Sequence, residues 1–406
     1  MDCAFPRLRK RLARTRPLAA AWLFLSLAAG GSAEVQSSPG IRQPALKLDP
    51  RCPGSEGINK LLMDSSAALQ QGNYAATIQI LQPFSSYICD PRVNLLLAAA
   101  FESSGDLPAA EQTLRQALSD WPANTAISTS LAREYLGSGE AQNAAEALRN
   151  FRATSRTPWQ EIQMGVTVFL AAHQLEKAKA LAEFGYRNYP SSQSLLLFAN
   201  ALQLEGRYKE VIALLESQKS IYQNSAPFLA TLAESQYDAA IYDRARTNAE
   251  RAISLDGNLY AAHYLLGNIL LKLSDPEPAA AEYRKALELE PDQPRTYYYL
   301  ALALRAQHDE NDEEAILAKA IALDDHYALA HCEMGRILLN QDRLADAVAQ
   351  LNLAVDDNAS SEQAYYLLSR AYSRLGDKEN ADAMAKRLTA IRKNNHRGST
   401  RSLGNQ

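Results

Sequence analysis

One pattern constrains this chain more than any other: a large apolar residue followed at once by a small one, repeated at nearly constant spacing. The pairs are Leu97–Ala98, Leu131–Ala132, Met164–Gly165, Phe198–Ala199, Leu232–Ala233, Leu266–Gly267, Leu300–Ala301, Met334–Gly335 and Leu368–Ser369. The positions of successive pairs differ by 34, with a single step of 33 between Leu131 and Met164, and Met63 extends the series backwards. A fixed period in the 20–50 residue range dictates an array of small structural units, each packing on its neighbours.

A second series follows twelve places after the small residue: Ala76, Ala110, Ala144, Lys177, Val211, Ala245, Ala279, Glu313, Ala347 and Ala381. Four places later comes a mostly apolar series that includes Leu114, Leu148, Leu215, Tyr283, Leu317 and Leu351. Spacings of three and four within each half predict two amphipathic helices per unit. Gly72, Gly105, Gly139, Gly206 and Gly376 fall between the two helices, and Pro122, Pro190 and Pro291 fall where a unit ends. Strand signals are absent, so the expected class is all-α.

These residues resemble the tetratricopeptide repeat family. Tyr260 to Gln293 carries the resemblance best, with Leu266, Gly267, Ala279, Tyr283, Ala286 and Pro291 standing where that family has Leu, Gly, Ala, an aromatic, Ala and Pro. The resemblance covers residues 57–395. It implies a right-handed superhelical solenoid of about ten helix-turn-helix repeats, with an inner groove lined by the first helix of each repeat and open to a peptide. Departures are His263, His331, Tyr297 and Tyr365 near the opening aromatic place, and Lys177 and Glu313 where alanine is usual.

Residues 1–33 are of another kind. Arg7, Arg9, Lys10, Arg11, Arg14 and Arg16 precede an apolar stretch, Leu18 to Ala29, which is followed by Gly31, Ser32 and Ala33. This is the layout of a secretory signal peptide. The competing reading is a retained anchor, but the apolar stretch falls short of the roughly 20 residues that cross a bilayer as a helix. The expectation is an exported protein, periplasmic or secreted, without an integral membrane span once the signal is removed. Residues 34–56, rich in Pro, Gly and Ser, read as a flexible leader, 57–395 as the repeat array, and 396–406 as a basic disordered tail.

Loss of six basic residues and Asp2 would leave 36 basic and 45 acidic residues, a net charge near −9. An acidic body argues against nucleic acid as a partner, since that affinity rests on neutralising phosphates. The segment from Lys386 to Gln406 is the exception, with six basic residues and no acidic one. In an oxidising compartment Cys52 and Cys89 are candidates for a disulfide tying the leader to the first repeat, while Cys332 reads as a packed small side chain.

Groove-facing places in the first six repeats are mixed in character. In the last four they hold Tyr264, Asn268, Lys272, Arg295, Tyr298, Tyr299, Arg305, Glu333, Arg336, Asn340, Tyr366, Arg370 and Arg374. Aromatic faces beside guanidinium groups suit recognition of an acidic or C-terminal peptide, centred on Tyr298, Arg336 and Arg370. Two structural readings compete with it: tyrosines packing between helices, and arginines pairing with acidic residues across repeats. The Lys/Asn clamp of chaperone-binding family members is not matched, since Tyr264, Tyr299, Leu329 and Glu333 stand at its places. No phosphate loop, metal-ligand spacing or catalytic triad is legible, so neither an enzyme nor a cofactor is expected. The function expected is an exported scaffold for protein or peptide partners, with cell-envelope assembly as its setting. The alternatives are a non-catalytic accessory subunit of a membrane or secreted polysaccharide-handling enzyme, and a chaperone for exported proteins.

Overall fold

The computed structural model describes residues 51–307 and 310–403, with side chains at 310, 311 and 395–403 left aside; the signal-like segment and most of the leader lie outside the described residues. Among the described residues there are twenty α-helices and no strand. In chain order they are α1 Ser55–Gln70, α2 Tyr74–Leu81, α3 Pro91–Ser104, α4 Leu107–Asp120, α5 Thr125–Gly137, α6 Ala141–Ala147, α7 Trp159–Ala171, α8 Leu175–Asn188 and α9 Ser192–Leu204. There follow α10 Tyr208–Tyr222, α11 Ala226–Asp238, α12 Tyr242–Leu255, α13 Tyr260–Lys272, α14 Pro276–Leu289, α15 Pro294–Ala306 and α16 Glu310–Leu323. The series ends with α17 Ala328–Asn340, α18 Leu344–Asp357, α19 Glu362–Leu375 and α20 Lys378–Leu403.

Several helices start at a residue whose side chain caps the first turn. Asn73, Asp106, Asn124, Ser225 and Ser361 each accept a hydrogen bond from the amide three places on, and Ser191 and Ser194 form a reciprocal capping box. Two compact units divide at Arg207 and Tyr208. Within each unit every helix packs against the next along the chain, and several first helices touch the first helix of the next pair. This is how a helix pair with an apolar face on both sides buries it.

The buried register corrects two steps of the expected one. The deepest place on each second helix is held by Thr77, Ala110, Ala144, Ala178, Val211, Ala245, Ala279, Glu313, Ala347 and Ala381, all 0% exposed except Ala381 at 6%. Met63 is 66% exposed, and the first-helix place belongs to Ser65, whose carbonyl accepts from the Thr77 hydroxyl. In the fourth pair Lys177 is exposed, and Ala178 and Val166 are buried, so the departure expected at Lys177 vanishes. Helix starts at Thr125, Trp159, Ser192 and Ala226 follow one another at steps of 34, 33 and 34, which puts the short step one repeat later than expected. A three-residue turn, 189–191, after the 14-residue α8 makes the difference: the turns between pairs at 121–124 and 256–259 have four residues, and the other three-residue one, 223–225, follows the 15-residue α10. Another step of 33 separates Thr77 from Ala110. Met164–Gly165 imitates the large–small pair one place early.

The small residues permit close helix approach. A Cβ on Gly267 would lie 2.6 Å from the Tyr283 ring, and one on Gly165 would lie 2.7 Å from Leu181. The turns inside the pairs need positive φ, which Gly72, Gly105, Gly139, Gly206 and Gly376 adopt freely and which His173, Ala240, Ser274 and Asp342 adopt as non-glycine residues. The third pair is irregular. Helix α6 stops at Ala147, and Leu148 and Phe151 in the following loop enter the core instead.

At the N-terminal side the Cys52 and Cys89 sulfurs are bonded, with Cα atoms 5.4 Å apart, so the segment before α1 is tied to the segment after α2. At the other end α20 runs to Leu403, past the boundary of 395 placed from sequence.

The register makes a direct prediction. Ala279→Leu adds a branched side chain at a fully buried place and should cost about 1–3 kcal/mol. Glu288→Ala, at an exposed place on the same helix, should stay within about 0.5 kcal/mol. Urea unfolding followed by circular dichroism checks this, and equal costs would contradict the register.

Candidate functional site

The candidate residues lie in the second unit, on the first helices α13, α15, α17 and α19. The repeat period places Tyr264, Tyr298, Cys332 and Tyr366 at one helical position, and Asn268, Leu302, Arg336 and Arg370 one turn later. Identical backbone positions nonetheless carry different fates.

The tyrosines from α13 to α17 form a continuous ladder. Tyr260 stacks on Tyr264 at 5.9 Å, Tyr264 meets Tyr283 at 6.1 Å and Tyr299 edge-on at 5.9 Å, and Tyr283 stacks on Tyr299 at 6.2 Å. Tyr298 then bridges Tyr299 at 5.3 Å and Tyr327 at 5.6 Å, both edge-on. These separations lie in the favourable range for aromatic pairs. The Arg295 guanidinium stands 5.7 Å from the Tyr299 ring centre. The Tyr283 hydroxyl donates to Asn268 Oδ1 at 2.7 Å, so Asn268 is engaged within its own pair. Burial pushes Tyr298 and Tyr237 up to about 12, and raises Tyr264, Tyr283 and Tyr327 as well, so these phenols stay protonated at neutral pH. Tyr283 is fully buried and Tyr298 is 9% exposed.

The arginines are equally engaged. Arg336 pairs with Glu313 on α16 and, at 2.6 Å, with Glu333 on its own helix. Arg305 reaches the same Glu333 oxygen at 2.6 Å, and Gln363 on α19 donates to the other oxygen at 3.0 Å. The network thus joins four helices around two carboxylates, one wholly buried and the other nearly so. Burial raises the Glu313 carboxyl despite Arg336, and its Oε2 makes no hydrogen bond. Burial acts on Glu333 in the same sense, but the hydrogen bond from Arg336, the Arg305 charge and Gln363 outweigh it and hold that carboxyl below its ordinary value. Arg374 donates to the Leu339 carbonyl and pairs with Asp342 at 2.7 Å.

Tyr366 and Arg370 differ from the rest. Tyr366 is 48% exposed, Arg370 is exposed with its guanidinium 5.8 Å from the Tyr366 ring centre, and no carboxylate pairs with Arg370 among the described residues. Leu329 on α17 is a further exposed apolar side chain, at 46%. Sequence reasoning missed Tyr260, Tyr283 and Tyr327 as ladder members. Tyr283 was visible as the aromatic four places after Ala279, whereas Tyr327 lies in a turn that carries no helical signal.

The histidines at the opening aromatic place are structural. His263 Nε2 lies 3.1 Å from the Gly257 carbonyl and Nδ1 2.7 Å from Glu282, and His331 repeats this with Asp325 and Gln350. Burial pushes the Cys332 thiol up to about 12, which leaves it without the thiolate that nucleophilic chemistry needs. Among the described residues no group of three or more His, Cys, Asp or Glu side chains is gathered as a metal site, and no helix is long and apolar enough to cross a membrane.

The carboxylate network predicts a stability effect. Arg336→Ala strands Glu313, while Glu333 keeps Arg305 and Gln363, and should cost about 3–5 kcal/mol, the range for removing one partner of a buried pair. Adding Glu313→Ala, which restores the residue usual at that place, should recover part of the loss. The pH sign follows from Glu333. Its pKa is depressed on folding, so its contribution is present above the ordinary carboxylate range and fades as pH falls through its folded value. Urea midpoints measured against pH should show this acid limb flattened in Glu333→Gln.

The tetratricopeptide repeat family profile matches residues 260–293, and a second profile of the same family matches 362–395. No relative among the curated proteins matches the chain. Solved structures that resemble it include the Pseudomonas aeruginosa pilF protein, at 16% identity and TM-score 0.46, over 49% of this chain and 90% of that one. A tetratricopeptide repeat protein from Parabacteroides merdae is similar at 15% identity and TM-score 0.44, over 57% of this chain and 93% of that one. YrrB, described as a TPR protein with an unusual peptide-binding site, is similar at 20% identity and TM-score 0.38, over 44% of this chain and 91% of that one. Residues 260–293 and 362–395, the seventh and tenth helix pairs of this all-α chain, are tetratricopeptide repeats.

Proposed function

We propose that the protein is a binding scaffold that holds a polypeptide partner on the first-helix surface around Tyr366, Arg370 and Leu329. One observation carries the reading. Of the nine residues whose types and places suit a peptide, Arg305, Arg336 and Arg374 are paired internally, Asn268 is bonded to Tyr283, and Tyr264, Tyr298 and Tyr299 are packed ring against ring. Tyr366 and Arg370 keep their surface. An exposed ring beside an unpaired guanidinium suits an apolar side chain flanked by a carboxylate, and such aromatic and arginine positions carry a disproportionate share of binding energy.

The double variant Tyr366→Ala/Arg370→Glu should lose its partners in affinity capture from the native compartment while keeping wild-type circular dichroism. Arg187→Glu, at an exposed place in the first unit, should retain them. Equal capture by both variants would remove this surface from consideration.

We further propose export to an oxidising compartment. The reading is supported by the signal-like N-terminus and by the Cys52–Cys89 bond, since such bonds persist mainly outside the reducing cytosol. Roles in envelope assembly, as an accessory subunit or as a chaperone are all compatible with it. Protein taken from its native source, denatured without reductant and alkylated, should gain one alkyl group, at Cys332. Three groups in a chain lacking residues 1–33 would count against the disulfide and the compartment together.

A further inference from the structure

The last described helix, α20, is 26 residues long, whereas the other second helices reach at most the 15 residues of α10. Its first part packs in the ordinary way. Ala381 and Leu388 are buried, and Met384 and Ile391 are half-buried. The last acidic residue of the sequence is Asp382, and from there on the charged residues are Lys386, Arg387, Arg392, Lys393, Arg397 and Arg401.

Helical register sorts these six. With 3.6 residues per turn, positions 386, 393, 397 and 401 fall within roughly 80° of arc, and the buried stripe of 381, 384, 388 and 391 lies on the opposite side. At 1.5 Å per residue the four positions extend along roughly 22 Å of one line. Lys386 and Lys393 are exposed and pair with no carboxylate among the described residues. Arg392, off the stripe, pairs with Glu362 on α19 at 3.2 Å. Lys386 and Lys393 therefore stand away from the packed side of their helix, and the register carries the same line of positions on to 397 and 401.

We propose that this stripe docks the protein on an anionic lipid surface. A straight row of basic positions meets a plane of negative headgroups along its whole length, and each basic residue near such a surface strengthens binding by about fivefold. From Lys386 to Gln406 there is no Phe, Tyr or Trp, so the segment lacks the large rings on which single-stranded bases stack. No apolar residue accompanies the row between Arg392 and Ser402, so the contact is electrostatic and does not insert into the bilayer. This surface is independent of the one around Tyr366 and Arg370.

The test is co-sedimentation of the chain without its signal-like residues 1–33, which are themselves basic and apolar, with vesicles of phosphatidylcholine alone or mixed with phosphatidylglycerol. Wild type should bind the mixed vesicles at about 50 mM salt and release as the Debye length shrinks toward about 3 Å near 1 M. The variant Lys386→Gln/Lys393→Gln/Arg397→Gln/Arg401→Gln should bind on the order of 10²–10³-fold more weakly. A control with the same net charge, Arg149→Gln/Arg187→Gln/Arg246→Gln/Lys285→Gln, alters exposed basic residues elsewhere and should bind like wild type. Circular dichroism and urea midpoints confirm that both variants are folded. Equal binding by wild type and the stripe variant, equal binding to neutral vesicles, or retention on duplex DNA without vesicle binding would each overturn the proposal.

Discussion

Everything in this structure depends on how closely the two helices of a pair can approach. At Gly267 the backbone leaves no room for even a methyl group in front of Tyr283, and the alanines at 110, 144, 178, 245, 279 and 347 have no exposed surface at all. Volume is exchanged across the contact: where the first helix offers glycine the second supplies Tyr283, and where it offers Val166 the second has Ala182 at the corresponding place. Close-packed interiors require such compensation, because a surplus methylene or a void of the same size costs stability. The exchange recurs in most pairs, Ala233 with Ala249 and Ser369 with Ala385 being the exceptions, and the period in the sequence follows from it.

Glu313 is the informative exception. A carboxylate at a place otherwise held by small or apolar residues would carry a prohibitive desolvation cost on its own, so Arg336 is drawn inward to meet it, and Glu333 in turn takes Arg305 and Gln363. Two carboxylates, Glu313 and Glu333, thus engage two arginines of the first-helix surface. The tyrosine ladder has a similar effect by a different force. Ring-on-ring packing from Tyr260 to Tyr327 consumes faces that a ligand would otherwise use. What remains outward is narrower than the composition of these helices suggests.

Helix content, pairing and repeat number were legible because apolar periodicity and small-residue spacing are local properties of the chain. The register failed at two repeats for identifiable reasons. Met164–Gly165 has the right chemistry one place too early, and a three-residue turn at 189–191 restores the phase later. Met63 extends the series by spacing, yet points to solvent while Ser65 packs. Either of two nearby residues can satisfy a pattern on paper, and only the rotation of the helix about its axis chooses between them.

By itself the sequence determined an all-α chain of ten helix pairs, the turns that separate them and the set of residues available to the first-helix surface. The tertiary structure alone decided which of those residues are spent internally. Arg336 meets Glu313 across 23 positions and Arg305 meets Glu333 across 28, distances over which periodicity specifies that two places are stacked but not whether their side chains pair. Pairing depends on side-chain reach, desolvation and the charge of neighbours, which arise only when the helices are assembled. Tyr366 and Arg370 stay outward because, among the described residues, no carboxylate reaches that arginine and no further ring covers that tyrosine.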